Sequence, residues 1–372
     1  MKILASILFS FFTIISVAQK NSKLLVGTYT NGFSEGIYVY NFNNKTGNSI
    51  LIDSAKTSNP SFLAISPNKK FVYAVNEEGD SINNGGMVSA FSINKKGKLS
   101  FINAVASGGN HPCFIRFDKT GKWAIAGNYS GGSFSILPVN KNGSVLPAKT
   151  IIQHYGKSIN KSRQESAHVH ATQLSEDNKF LLVSDLGIDK LMVYNFDEIN
   201  GTVAENTSGS VSVSAGSGPR HIAFHPSQKM VYLSQELNGT VAVFNFSDKG
   251  QLKLLQTISA LPVNYKGSFG GADIHVSADG KFLYASNRGE SNTIVIYAID
   301  PMTGILSLIG HQSTLGIKPR NFNFDPTGNF LLVANQDSND IVIFKIDHQT
   351  GLLTDTGLKI NVPNPVCIQW IE

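Results

Sequence analysis

The sequence predicts an all-β fold, a seven-bladed β-propeller with four antiparallel strands per blade and a ring closed by pairing of its N-terminal and C-terminal strands. Three observations predict it. One segment recurs six times, and the two chain ends supply complementary parts of a seventh copy. The chain has 372 residues, more than one hydrophobic core usually holds, so either two domains or a repetitive architecture is expected. The repeat favours a repetitive architecture.

The repeated segment first reads PSFLAISPNKKFVYAVNEEGD, and its first residue is taken as the anchor of each copy. The six anchors are Pro60, Pro112, Val169, Pro219, Gly271 and Pro319. Sixteen residues later come Asn76, Asn128, Asp185, Gln235, Asn287 and Asn335, without a slip in register. Each copy holds three strand-like runs separated by turn residues, which is typical of an antiparallel meander. The spacing of the copies leaves room for a more variable outer strand, as in a propeller blade.

The seventh blade is divided between the ends of the chain. The N-terminal KLLVGTYTNGFSEGIYVYNFN has the second and third strands of a blade but lacks the first, and the C-terminal NPVCIQWIE has a first strand alone. Pairing these ends removes the open sheet edge and closes the ring. Loss of the C-terminal strand should therefore cost far more stability than its length suggests.

Residues 1–18 have the pattern of a secretory signal peptide, with Lys2, an apolar run too short for a membrane span, and small residues up to Ala18. The alternative is a retained anchor. We expect cleavage after Ala18 and a single propeller domain over residues 19–372. We also expect an exported monomer, periplasmic or extracellular, with no membrane association after cleavage.

Charge and cysteine content bear on partners and cross-links. The net charge is +5, with both signs scattered and no basic run, which argues against a nucleic-acid partner. Export permits disulfides, but the repeat places Cys113 and Cys367 two blades apart and at different register. We expect two buried, unpaired thiols.

Comparing the copies of the repeat distinguishes residues that every blade needs for its structure from residues that are candidates for function. Turn chemistry explains the anchor prolines and the asparagine row, since proline fixes φ and asparagine tolerates left-handed conformations. Two other rows vary between blades, and they lie where a first strand begins and a second strand ends, at one end of each antiparallel pair. The first-strand row, directly after the anchors, is Ser61, Cys113, His170, Arg220, Ala272, Arg320 and Val366. The second-strand row is Tyr29, Glu77, Tyr129, Leu186, Glu236, Arg288 and Gln336.

These rows predict an anion site at one mouth of the central channel. Arg220 and Glu236 should face each other within one blade, and Arg288 and Arg320 follow in the next two blades. Guanidinium groups suit forked binding of carboxylate or phosphate. The alternative is a rim of salt bridges between blades. Further candidates for substrate contact from the same rows are Glu77, Tyr129 and Tyr29.

Histidines concentrate in the same region. His168 and His170 are two residues apart, hence on one face of a strand, and Asp273 with His275 occupies the inner strand two blades on. Three interpretations remain open here: a zinc-type metal site, a general base or substrate ligand that needs no metal, and structural histidines.

Three insertions without strand character interrupt the repeat, at residues 77–86, 153–167 and 262–270. The first two adjoin the mouth by their position and would rim or partly cover a site. Lys157, Lys161 and Arg163 of the second would add positive potential there, unless they belong to a solvated loop.

Several motifs resemble one family. GTYT, NPSFLAISP, VYAVNE, GPRHIAFHP, HVSADGKFLYASNRG and KPRNFNFDPTGNFLLVANQ are similar to the lactonase family of seven-bladed propellers, which includes bacterial 6-phosphogluconolactonases and fungal carboxy-cis,cis-muconate cyclases. The similarity extends from about Leu24 to Trp370. It implies catalytic roles for His170, or His168 beside it, and for Arg220, Glu236 and Arg288. It also implies a reaction without metal or other cofactor.

The resemblance implies a 6-phosphogluconolactonase-like hydrolase acting on a small sugar-derived lactone with an anionic substituent. An export signal does not fit 6-phosphogluconolactone as the substrate, because that lactone is made in the cytoplasm. We therefore expect another lactone as the natural substrate. Histidine is the favoured base, with Arg220 and Arg288 stabilising the oxyanion or holding an acidic group. The alternatives are a non-catalytic exported propeller that binds an anionic ligand or protein, and a muconate-type lactonising activity.

Overall fold

The computed structural model describes residues 21–79, 85–227 and 229–371. The signal peptide expected over residues 1–18 lies outside the described residues. All regular elements in the described ranges are β-strands, and none of these ranges contains a helix long and apolar enough to cross a membrane.

Seven antiparallel sheets form the described structure. The first contains β1 (Asn21–Thr28), β2 (Gly36–Asn43) and β3 (Ser49–Lys56). The second contains β4 (Pro60–Ile65), β5 (Phe71–Asn76), β6 (Met87–Ile93) and β7 (Leu99–Ala106). The third contains β8 (Pro112–Phe117), β9 (Trp123–Asn128), β10 (Ser133–Pro138) and β11 (Thr150–Gln153). The fourth contains β12 (Val169–Leu174), β13 (Phe180–Asp185), β14 (Lys190–Asp197) and β15 (Thr202–Glu205), with the two-residue β16 (Val211–Ser212) also on β14.

The remaining sheets repeat the order. The fifth contains β17 (Pro219–Phe224), β18 (Met230–Gln235), β19 (Thr240–Phe246) and β20 (Leu252–Ser259). The sixth contains β21 (Phe269–Val276), β22 (Phe282–Gly289), β23 (Thr293–Ile299) and β24 (Leu306–Ser313). The seventh contains β25 (Pro319–Phe324), β26 (Phe330–Asn335), β27 (Asp340–Ile346) and β28 (Leu353–Asn361). The last strand, β29 (Pro365–Ile371), completes the first sheet by pairing with β1.

The ring closes as the sequence predicts. β29 runs antiparallel to β1, from Lys23 opposite Ile371 to Thr28 opposite Pro365. The inner strands β29, β4, β8, β12, β17, β21 and β25 contact one another in a closed circle. The propeller fold with four strands per blade is thereby confirmed, and the N-terminal segment contributes the outer strand β3 in addition to the two strands predicted for it.

The anchors pair with the residues sixteen positions later in all six intact blades, from Pro60 opposite Asn76 to Pro319 opposite Asn335. Immediately after this pair the register of the first hairpin shifts in each of these blades. The split blade shifts at the same place, between Gly27 and Thr28. Such bulges turn a side chain out of the regular alternation of a strand. The first-strand row therefore lies at a bulge in every blade.

The asparagine row has a different explanation from the one its turn chemistry indicates. Asn76, Asn128 and Asn335 end their second strands, Asn287 lies two residues before the end of β22, and all four are buried without positive φ. Their side-chain amides act as donors instead: Nδ2 of Asn287 donates to the carbonyl of Ala260 at 2.8 Å, and Nδ2 of Asn335 to that of Thr314 at 3.2 Å. The left-handed residues sit directly before the anchors, at Asn59, His111, Gly218, Lys318 and Asn364.

The core lies between the blades and is largely aliphatic and aromatic. Buried tyrosines of the second strands link one blade to a turn of the next. The hydroxyl of Tyr73 donates to the carbonyl of Gly143 at 2.6 Å, and that of Tyr284 to the carbonyl of Gly351 at 2.7 Å. Cys113 and Cys367 are both buried and free, as expected.

Candidate functional site

The two variable rows meet at one end of the channel. The N–H of Glu236 donates to the carbonyl of Gly218 at 2.7 Å, and the N–H of Tyr129 donates to the carbonyl of His111 at 2.9 Å. Gly218 and His111 each precede an anchor, so the residue that follows a second strand lies beside the start of the first strand. The polar members of both rows share this mouth.

Glu236 is the centre of the larger cluster. Its Oε2 atom lies 3.0 Å from Nε of Arg220 on β17 and 2.9 Å from Nη2 of Arg288 on β22. Its Oε1 atom accepts a hydrogen bond of 2.6 Å from Nη2 of Arg163, which lies on the insertion 153–167. The Glu236 side chain is only 6% exposed. One buried carboxylate therefore holds three guanidinium groups from different parts of the chain.

The charges of this cluster are fixed by their neighbours. Burial opposes ionisation of Glu236, but Arg288, Arg220 and Arg163 outweigh it and hold the pKa of the carboxyl below its usual range. Burial lowers the pKa of Arg220 to about 10, and Arg288 and Arg320 add to that effect, so Arg220 stays charged at neutral pH. Glu236 is thus an ionised but weak base. Nη1 of Arg220 is buried with no hydrogen-bond partner among the described residues.

A second cluster joins the split blade to its two neighbours. The hydroxyl of Tyr29 donates to Oε2 of Glu77 at 2.8 Å, and Nη2 of Arg320 lies 3.9 Å from the same oxygen. The Arg320 guanidinium stands 5.3 Å from the centre of the Tyr29 ring. Burial raises the pKa of Tyr29, so its phenol stays protonated and acts as a donor. The Arg320 guanidinium makes no hydrogen bond to the described part of the chain, which leaves its donors available.

His170 lies at the bulge of β12, between the two clusters. Its Nδ1 atom is 3.7 Å from Sγ of Cys113, and its ring centre is 5.4 Å from that of Tyr129 and 5.3 Å from that of His221. Burial lowers the pKa of His170 well below its usual range, and Arg220 and His221 add to this. The imidazole is therefore neutral at neutral pH.

His168 does not share a strand face with His170, so that expectation was wrong. It precedes β12, and the bulge between Val169 and Ala171 breaks the regular alternation of side chains along the strand. Its ring stacks on Tyr129 at 4.6 Å, Nδ1 lies 3.1 Å from the Tyr129 carbonyl, and Nε2 lies 3.1 Å from Oε1 of Glu165. With both nitrogens occupied, His168 supports the wall behind Tyr129.

Asp273 and His275 belong to a separate network deeper in the channel. Oδ1 of Asp273 lies 2.7 Å from Nδ1 of His221, and its Oδ2 lies 2.9 Å from Nε2 of His275 and accepts from the Asn321 amide. Burial opposes ionisation of Asp273, but His275 and His221 hold its pKa well below the usual range. Neither Asp273 nor His275 contacts the arginines that bind Glu236.

Sequence reasoning missed His221, which lies one residue beyond Arg220. The row two positions after the anchors varies between blades as the first-strand row does, and comparing it would have exposed His221. That row is Phe62, Phe114, Ala171, His221, Asp273, Asn321 and Cys367. Across the described ranges, no group of three or more His, Cys, Asp or Glu side chains is arranged to hold a metal ion.

A cavity of about 640 Å³ opens beside Glu236. Arg163, Glu236 and Arg288 form its inner end. The rest of its wall consists of Leu237, residues 268–270, 289–290, 292 and 317–318, and Asp337. Two of the three insertions thus line this cavity, through Arg163 and through residues 268–270, and Glu77 of the third belongs to the cluster with Tyr29 and Arg320. Residues 80–84 of the insertion at 77–86 lie outside the described residues.

Comparisons with known proteins agree with this architecture. The model of a family described as lactonase, 7-bladed β-propeller, matches residues 23–370. A 6-phosphogluconolactonase of Formosa agariphila is 39% identical over 320 residues, 85% of this chain and 90% of the relative. A protein of known structure from Bacteroides fragilis superposes with a TM-score of 0.90 at 40% identity, covering 96% of this chain and 99% of that one. The periplasmic gluconolactonase of Pseudomonas aeruginosa gives a TM-score of 0.89 at 35% identity, covering 95% and 99%.

Proposed function

The chain belongs to the lactonase family of seven-bladed β-propellers, and from this we propose that it hydrolyses a sugar-derived lactone at the mouth formed by Arg220, Glu236 and Arg288. The relatives named 6-phosphogluconolactonase and gluconolactonase support this reaction class. The main observation in support of this site is that the buried Glu236 carboxylate binds three guanidinium groups. The neutral imidazole of His170 lies in the same region.

The arginines supply the electrostatic part of the reaction. Three cations and one carboxylate leave a net positive charge on the cluster around Glu236, which adjoins the cavity. Attack on a lactone carbonyl places negative charge on its oxygen, and preorganised donors in a buried site stabilise that charge strongly. Nη1 of Arg220 has no partner among the described residues, and Arg288 lines the cavity. Arg288 is therefore suited to receive the oxyanion, and Arg220, buried behind the cavity wall, adds its positive charge.

His170 serves as the base. A water donates its proton to the imidazole while its oxygen bonds to the carbonyl carbon, which forms a tetrahedral oxyanion. Collapse of that oxyanion breaks the ring C–O bond, and the leaving oxygen takes the proton from His170 to become a hydroxyl. The low pKa of His170 makes it a weak base, so most of the acceleration must come from the arginines.

Glu236 orients the arginines rather than accepting the proton. Each of its oxygens is occupied by guanidinium donors, and the low pKa of the carboxyl opposes protonation. Arg320 is the cation left to bind a hydroxyl or an acidic substituent of the lactone, because its guanidinium makes no hydrogen bond to the described part of the chain. We expect an exported protein, for which the periplasmic relative from Pseudomonas aeruginosa gives support.

The test is turnover of glucono-1,5-lactone and 6-phosphogluconolactone by the purified protein, followed by acid release and corrected for spontaneous hydrolysis. Arg288→Ala should lower kcat about 100-fold, as removal of an oxyanion donor does in other hydrolases. Arg116→Ala is the matched control, because Arg116 is exposed and lines a separate cavity with Phe117 and Asp118.

Equal rates for the wild type and Arg288→Ala would overturn the site. Saturable binding of gluconate without any turnover would instead favour the non-catalytic alternative. His170→Asn separates the base from the oxyanion donors, because it should remove the pH dependence of kcat that is due to His170 protonation.

A further inference from the structure

The cavity beside Glu236 has two chemically different parts. Its inner end carries Arg163, Arg288 and Glu236, two cations and one anion. Its outer part, from Phe269 to Asp337, carries Glu290, Lys318 and Asp337, one cation and two anions. Nζ of Lys318 lies 3.4 Å from Oδ1 of Asp337, so its charge is already balanced. The outer part therefore repels a phosphate or carboxylate rather than binding it.

Two large apolar side chains face the same outer part. Phe269 is 40% exposed and Ile317 is 54% exposed, and both line the cavity. Exposed apolar side chains next to carboxylates suit a ligand with both C–H faces and hydroxyl groups. A sugar ring is such a ligand, since its C–H face packs on an aromatic ring while its hydroxyls donate to carboxylates.

The wall that carries these side chains is fixed before any ligand arrives. Phe269 is the first residue of β21 and pairs with Gly289. The preceding Ser268 donates its N–H to Oε2 of Glu290 at 2.8 Å. On the other side, the N–H of Lys318 donates to Oδ1 of Asn292 at 2.8 Å. A preformed wall avoids the entropic cost of ordering side chains on binding.

The size of the cavity agrees with a ligand larger than one sugar. At about 640 Å³ it lies within the range of about 300 to 1,000 Å³ that holds drug-sized ligands. A monosaccharide lactone bound at the arginines would leave the outer part empty. A second ring attached to it would reach Phe269.

We infer that the outer part binds an uncharged sugar ring, so that the preferred substrate is an aldonolactone carrying a glycosyl residue. This inference rests on the proposed lactonase function. It assigns Phe269 as a specificity-determining residue, which contacts the glycosyl group and not the reacting carbonyl.

The experiment compares kcat/KM for cellobiono-1,5-lactone, glucono-1,5-lactone and 6-phosphogluconolactone. The wild type should prefer the disaccharide lactone, and Phe269→Ala should lower that preference over gluconolactone about tenfold, mainly through KM, as expected for a lost ring contact. Phe101→Ala should leave the preference unchanged, since Phe101 is 62% exposed on the outer strand β7.

Four outcomes would overturn the inference. One is a wild-type preference for the phosphorylated lactone over the disaccharide lactone, and another is an equal effect of Phe269→Ala on the disaccharide lactone and gluconolactone. Absence of turnover with all three lactones would remove the proposed function and this inference together. Hydrolysis of gluconolactone with no preference for the disaccharide would remove the inference alone.

Discussion

Arg163 donates a hydrogen bond of 2.6 Å to Glu236, although the two residues lie 73 positions apart and Arg163 lies outside the repeat. The insertion 153–167 thereby places a half-exposed cation on the buried carboxylate that also holds Arg220 and Arg288. The same Nη2 atom donates to the Tyr129 hydroxyl at 3.1 Å. The loop is therefore part of the site that the blades build.

Arg163→Ala should lower kcat/KM about tenfold, the value of one charge-assisted hydrogen bond. The effect on stability should be small, below about 1 kcal/mol, because the side chain is 41% exposed and solvent screens its charge. Lys161→Ala on the same insertion is the matched control, since Lys161 is exposed. Steady-state kinetics with urea unfolding would measure both effects, and equal kinetics for the two variants would contradict the role of Arg163.

Glu236→Ala should destabilise the protein by about 3 kcal/mol, since breaking a buried ion pair leaves its partners charged without compensation. Activity should fall as well, because the guanidinium groups lose the group that orients them. Asp248→Asn removes a comparable pair on the surface, where Lys229 and Asp248 are both exposed, and should cost less than about 1 kcal/mol. Urea denaturation of both variants provides the comparison, and similar losses of stability would contradict the prediction.

Stability should decline as the pH falls from about 6.5 to about 4. Burial lowers the pKa of His221 to about 4 from an ordinary value of 6.5, so in this range the unfolded chain binds a proton that the folded chain does not. Linkage gives a loss of about 3 kcal/mol across the window for this residue, with His170 adding to it. Above pH 6.5 the His221 side chain is deprotonated in both the folded and the unfolded chain, so this loss of stability is absent.

Urea unfolding at several pH values would measure that slope, and His221→Gln should reduce it. Because the substitution also alters the contact with Asp273, only the slope between pH 6.5 and 4 is compared, not the absolute stability. An unchanged slope would contradict the assignment to His221.

Truncation before β29 should abolish cooperative folding. A chain ending at Val362 loses the partner of β1 and exposes the inner edge of the first blade, whose Leu24 and Val26 are fully buried in the intact ring. A chain ending at Ile371 is the control and should unfold like the full chain. Circular dichroism during thermal unfolding would distinguish them, and a cooperative transition in the shorter chain near that of the control would contradict the prediction.

The fold is predictable from the sequence because the same pattern of strands and turns recurs in every blade. Anchors such as Pro60 and Pro319 pair with the residues that the spacing indicates. The placement of Arg220 and Glu236 at one mouth follows from antiparallel pairing alone, which a sequence reveals once its strands are known. Their catalytic roles remain predictions.

The remaining features depend on geometry that the repeat does not encode. The bulge at Val169 cannot be read from residue types, so the spacing alone predicts His168 on the face of His170. Contacts of Arg163 depend on the path of an insertion with no counterpart in other blades. Residue type predicts left-handed turns for asparagines such as Asn287, whereas the buried Asn287 side chain donates to a neighbouring carbonyl.

The bulge at the start of every first strand has a consequence for how this scaffold acquires new specificities. The position after the anchor is occupied by serine, cysteine, histidine, arginine, alanine or valine in different blades. The strand pairing before and after the bulge is nevertheless equivalent from blade to blade. Side-chain identity there is uncoupled from strand pairing. The propeller thus presents seven variable positions around one opening. A single substitution at one of them can change the chemistry of the mouth without changing the fold.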